Sequence, residues 1–111
     1  MEIKRMIEGN CCIVIPNGQL DAITGPELST FLHETLANHK NLILDLSKVD
    51  FVSSAGLRVF LGIVKEARGL GGDLRLAAVV EDVSKVLSVS GFDRLLKTYA
   101  NIQLAQDSFS D

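Results

Sequence analysis

The sequence predicts an α/β domain with a mixed β-sheet, in which an N-terminal antiparallel hairpin sits beside a parallel β-α-β unit with about four helices around them. Three observations carry this expectation. Two extended segments open the chain back to back, a later pair of apolar strands is separated by an amphipathic helix, and turn residues fall between these segments. A length of 111 residues with 47% hydrophobic content suits one compact domain over residues 1–111, long enough to bury a core without disulfides or metal.

Glu2 to Ile7 alternates apolar with polar residues and Cys11 to Pro16 is nearly continuous apolar, with Glu8-Gly9-Asn10 between them, which reads as a hairpin. Pro16-Asn17-Gly18 ends the second strand, and Gln19-Leu20-Asp21-Ala22 follows as a short extended piece or loop. Thr24-Gly25-Pro26-Glu27 has the form of a capping box with proline early in the helix, where its missing N–H is harmless. Leu28, Phe31, Leu32 and Leu36 then recur at helical spacing, so the first helix is expected over Gly25 to Asn38. Asn41 to Leu46 is a buried strand by its Leu42-Ile43-Leu44 run. The helix opening at Ser54 puts Leu57, Phe60, Leu61 and Val64 on one face and stops near Gly69 to Gly72. A strand over Asp73 to Val79 completes the β-α-β unit, whose crossover makes its strands parallel and right-handed. Val83, Val86 and Leu87 mark a third helix closed at Ser90-Gly91, and Phe92, Leu95 and Leu96 return to the core. Asn101 to Phe109 suits a short last helix packed through Ile102, Leu104 and Phe109.

Composition excludes several functions. Eleven basic against fourteen acidic residues leave a formal charge of −3, and no Lys/Arg stripe with interleaved aromatics follows a nucleic-acid backbone, so no direct nucleic-acid binding is expected. The longest apolar runs, such as Val59 to Val64, fall far short of a membrane span, so no membrane insertion is expected and the protein reads as cytoplasmic. Cys11 and Cys12 are adjacent, which disfavours an intrachain disulfide, and they read as buried packing residues. His33 and His39 have no nearby ligand cluster and read as surface histidines, so no metal is expected.

Chemistry concentrates in Asp45-Leu46-Ser47-Lys48-Val49-Asp50-Phe51-Val52-Ser53-Ser54-Ala55-Gly56-Leu57-Arg58, where a strand passes through a loop into a helix whose start carries two hydroxyls. A helix start presents unpaired N–H groups and partial positive charge, so an anion attached there is stabilised. Ser47, Ser53 and Ser54 are all hydroxyls of this stretch, and serine is also a favoured cap. Asp45 and Asp50 read as turn residues or interface charges. Val52-Ser53-Ser54-Ala55-Gly56 lacks the first glycine of a nucleophile elbow, and no P-loop or dinucleotide fingerprint occurs. Neither an enzyme nor a cofactor is therefore expected.

The chain resembles STAS domains, in particular the anti-sigma factor antagonists, on five elements in order. These are Gly18-Gln19-Leu20-Asp21 before Glu27-Leu28, Leu44-Asp45-Leu46-Ser47-x-Val49-x-Phe51, Ser54-x-Gly56-Leu57, Gly71-Gly72-x-Leu74, and Val86-Leu87 with Gly91-Phe92. The resemblance implies a phosphoacceptor at Ser54, with Asp21, Thr24, Ser53, Ala55, Gly56, Leu57 and Arg58 forming its neighbourhood and a partner interface. Two positions depart from the family pattern: Ser53 stands where aspartate is common, keeping the cap but losing the charge, and Arg58 stands where glycine is common. The implied function is partner switching in signal transduction and transcription regulation. The unphosphorylated protein binds an anti-sigma factor serine kinase, phosphorylation releases it, and a PP2C-type phosphatase resets it, while ATP and Mg²⁺ belong to the kinase. The alternative is a non-switching STAS docking subunit of a transporter or sensor assembly, in which Ser54 serves only as a cap.

Overall fold

A computed structural model describes residues 1–110. Strands β1 (Glu2–Glu8), β2 (Cys11–Asn17), β3 (Asn41–Asp45), β4 (Asp73–Ala77) and β5 (Thr98–Tyr99) form one mixed sheet in the order β1-β2-β3-β4-β5. The hairpin is antiparallel from Glu2↔Asn17 to Glu8↔Cys11, and each later pairing is parallel. Gly9 has φ +60°, the positive value that the first position of a two-residue hairpin loop of type II′ requires. Pro16 lies opposite Ile3, beyond the last β2–β3 pair at Val14↔Leu44, so its missing N–H interrupts no ladder between β2 and β3.

Helix α1 (Gly25–Leu36) links β2 to β3, α2 (Ser54–Gly69) links β3 to β4, and α3 (Glu81–Ser90) follows β4. One sheet face is covered by these three. Leu28, Leu32 and Leu36 of α1, Phe60, Ile63, Val64 and Ala67 of α2, and Val83 and Leu87 of α3 bury against Cys12, Val14, Leu42, Leu44, Leu74 and Leu76. The strand period of two sends Cys11, Ile13, Ile43 and Ala77 to the opposite face, where they meet Ala105 of α5 (Ile102–Asp107). Both thiols are free and buried, and burial pushes each above the ordinary cysteine value, against the smaller opposing pull of Arg75 on Cys11 and Arg5 on Cys12.

The structure departs from the sequence expectation at several places, among them Leu104, which faces solvent while Ile102 and Phe109 pack. Phe92–Leu95 forms a one-turn helix, α4, giving five helices, and two residues of β5 extend the sheet. Both are too short for periodicity to register. The capping box at Thr24 does not form. Thr24 has helical φ −85° and ψ −24°, its hydroxyl donates to the Gln19 carbonyl and accepts from the Asp21 N–H at 3.0 Å, and the Glu27 carboxylate pairs with the Met1 amine. Asp21 instead closes the turn that leads into α1, its carboxylate accepting from the N–H groups of Ile23 and Thr24, both at 2.9 Å, and no side chain caps the helix itself. His33 is exposed and pairs with Glu66 across α1 and α2, whereas His39 is half-buried. Among the described residues, no helix is long and apolar enough to cross a membrane and no cluster of metal-ligating side chains occurs.

Candidate functional site

The segment from β3 to α2 is shaped by local hydrogen bonds and then locked onto the sheet. Asp45, 7% exposed at the end of β3, accepts from the Ser47 N–H at 2.9 Å and turns the chain out of the strand. Leu46 and Val49 are buried, and Val52 forms an isolated parallel bridge with Leu20. The Leu20 N–H donates to the Phe51 carbonyl at 2.9 Å, and the Ser53 N–H donates to the Leu20 carbonyl at 2.8 Å. These bonds stitch the loop preceding α1 to the loop preceding α2, so the Asp21 turn and the Ser53-Ser54 pair belong to one platform.

Within it the two serines have different tasks. Ser53 is extended (φ −86°, ψ 177°), and its hydroxyl accepts from the Gly56 N–H across a long 3.5 Å, as an N-cap does. Ser54 is the first residue of α2 and is exposed, and among the described residues its hydroxyl makes no hydrogen bond. Gly56 explains how the first turn comes so close to the bridge. A Cβ there would lie 2.8 Å from Val52 Cγ1 and 3.1 Å from Leu20 Cβ, so any side chain would lift the helix off its seat.

The other expected site residues fall into two groups. Gly56 is buried and the half-buried Leu57 packs on the core, so both support the platform from below. Ala55 and Arg58 face outward, lining with Val59 one wall of an open groove of about 510 Å³ whose other wall is Ala22, Gly25, Pro26 and Ser29. Asp21 and Thr24 are half-buried and bonded to each other. Hydrogen bonds from the Thr24 N–H, and then from the Ile23 N–H, hold the Asp21 carboxyl below the ordinary aspartate value. That carboxylate is engaged by the backbone and the Thr24 hydroxyl, and Asp50 is exposed on the approach to Ser53.

Two residues of the platform were not anticipated as surface features. Ile23 is 79% exposed and Phe51 47% exposed, on the two loops joined by the Leu20 bonds. Ile23 stands outside the helical repeat begun by Leu28, and that mismatch is the signal in the sequence that it has no core to enter. The site thus displays a hydroxyl at a helix start, flanked by apolar side chains and one arginine.

The fold and this segment define a class. Residues 2–105 match the STAS domain family, and the chain belongs to that family. Its relatives point to one branch of it. A candidate anti-sigma factor antagonist of Thermotoga neapolitana is 30% identical over 95 residues, covering 84% of each chain. The candidate anti-sigma factor antagonist BtrV of Bordetella bronchiseptica is 42% identical over 53 residues, so that match spans 48% of this chain and less than half, 46%, of BtrV. The crystal structure of a candidate anti-sigma factor antagonist from Thermotoga maritima superposes with a TM-score of 0.93 at 25% identity, covering 98% of this chain and 95% of that one. The Bacillus cell fate determinant SpoIIAA in its phosphorylated form shares the fold, with a TM-score of 0.73 at 18% identity over 96% of this chain and 98% of that one.

Proposed function

We propose that this protein is a phosphorylation-controlled partner switch acting in the cytoplasm, with residues 1–111 working as one STAS domain. Unphosphorylated, it docks an anti-sigma factor serine kinase on the platform around Ser54 and so frees a sigma factor. Phosphorylated at Ser54, it is released until a PP2C-type phosphatase restores it. The chain itself performs no catalysis and holds no cofactor in this scheme. The observation that carries the proposal is the separation of roles at the start of α2, where Ser53 caps the helix and leaves the exposed Ser54 hydroxyl unengaged. A phosphoryl group on that oxygen would meet the positive end of α2, so the domain tolerates it. The partner's surface does not. Phosphate adds about −1.5 to −2 charge, and an uncompensated buried charge costs about 3 to 5 kcal/mol, which is roughly a hundredfold to several-thousandfold in affinity. That SpoIIAA, a protein of this fold, has a phosphorylated form is in keeping with phosphate being carried on such a domain.

The test is intact-mass and peptide mass spectrometry after incubation with ATP, Mg²⁺ and the kinase encoded nearest its gene, followed by binding measurements. Phosphate confined to Ser54, retained kinase binding by Ser54→Ala and weakened binding by Ser54→Asp are expected. An unmodified protein beside a kinase active on another substrate, or tight binding by the Asp form, overturns the proposal.

A further inference from the structure

We propose that Arg58 is a phosphate clasp acting within the same helix: once Ser54 is phosphorylated, the Arg58 guanidinium closes onto the phosphate and leaves the groove it now lines. The inference rests on Ser54 being the phosphoacceptor and concerns what happens after transfer. Three observations carry it. First, residues four apart on a helix are surface neighbours, and helical side chains lean toward the N-terminus, so Arg58, which lines the groove beside Ala55 and Val59, lies one turn from Ser54 and within reach of it. Second, Arg58 lacks a rival within α2. Its neighbours at three and four residues' distance are Ser54, Ala55, Leu61 and Gly62, so the only position of the four able to acquire negative charge is Ser54 itself. Third, Arg58 is uncommitted. Arg5 lies over the Phe31 ring, and Arg68 and Arg75 bind Asp73. Arg58 is exposed and makes no ion pair or hydrogen bond among the described residues.

The consequence goes beyond added charge. Arg58 is the one charged residue lining the groove between the starts of α1 and α2, whose remaining lining is small or apolar. A partner fitted to that groove presents an acidic group to Arg58, and phosphorylation then removes the cation at the same moment as it adds the anion. The planar guanidinium suits this exchange, since its fork of donors binds a carboxylate or a phosphate equally well in a bidentate manner.

The experiment installs phosphoserine at position 54 during translation, without any kinase, and follows the phosphate titration by ³¹P NMR in the otherwise native chain, in R58Q and in R58K. The second phosphate ionisation is expected about 0.2 to 0.4 pH unit lower in the native chain than in R58Q, from the strength of exposed pairs at this spacing. Salt narrows the gap, and R58K retains part of it. A native-like amide spectrum for unmodified R58Q shows that the substitution leaves the fold intact. Superimposable titrations of the native chain and R58Q overturn the proposal. Because no kinase is used, that result leaves the partner-switch assignment standing, and a protein that no kinase modifies leaves the clasp measurable.

Discussion

The adjacent hydroxyls of Ser53 and Ser54 look interchangeable in the sequence, and the backbone separates them. Ser53→Ala removes the cap of α2 and should destabilise the domain by about 1 kcal/mol in urea unfolding. Ser54→Ala, at an exposed and unbonded position, should stay within about 0.5 kcal/mol of the parent in the same measurement. Gly56→Ala brings a methyl group against Val52 and Leu20 and should cost about 1 to 3 kcal/mol, with amide shifts spreading through the Asp21 turn. Asp21 adds a pH dependence whose sign is fixed. Its folded value lies below the ordinary one, so its stabilisation is complete above the unfolded aspartate value of about 3.9 and is lost as pH falls through the lower folded value. Carboxyl NMR should show Asp21 titrating below the ordinary aspartate value, and Asp21→Asn should flatten the acid limb of stability. The cap of α2 was readable from Ser53 ahead of the helix that opens at Ser54. That α1 starts without a side-chain cap was not, because the Thr24 hydroxyl is taken by the Gln19 carbonyl and the Asp21 N–H, contacts that the capping-box pattern does not encode.

Among the elements, those with a full period of apolar residues were readable and those defined by tertiary contact were not. The hairpin, α1, β3, α2, β4 and α3 announce themselves by alternation or helical spacing and by their flanking turns. Strand β5 exists because the Leu76 N–H reaches the Lys97 carbonyl and the Ala78 N–H the Tyr99 carbonyl, bonds that no local pattern encodes. The same corner holds Ala78 at φ +54°, a left-handed conformation unfavourable for alanine. Ala78→Gly should therefore stabilise the domain by about 0.5 to 1 kcal/mol, as relief of the Cβ clash outweighs the added chain entropy. A rise in thermal midpoint is the readout, and a fall would show that the bond to Tyr99 already absorbs the strain.

For the molecule as a whole, a partly exposed ion network ties the start of β4 to the segment that follows α5. Asp73, 6% exposed, accepts from Arg68 at 2.9 Å and Arg75 at 3.0 Å, and Arg75 continues to the Ser108 carbonyl beneath the Phe109 ring. Asp73→Ala removes the acceptor that Arg68 and Arg75 share, and because Arg68 reaches solvent and Arg75 keeps the Ser108 carbonyl it should cost about 1 to 3 kcal/mol. Cys11 and Cys12 report on the same integrity. Their buried thiols should react with a thiol reagent only as fast as the whole domain opens, with rates that climb with urea in step with global unfolding.

The Leu20–Val52 bridge gives the domain a chassis separable from its livery. The bonds that seat the start of α2 run through backbone atoms, the Phe51 carbonyl among them, and the buried Leu20, Val52 and Gly56, whereas the side chains of Ile23, Phe51 and Arg58 sit on the outside and take part in none of them. On the proposed partner switch, substitutions at those outer side chains would change which partner docks while leaving the seat of Ser54 as it is, so specificity is tunable without touching the fold.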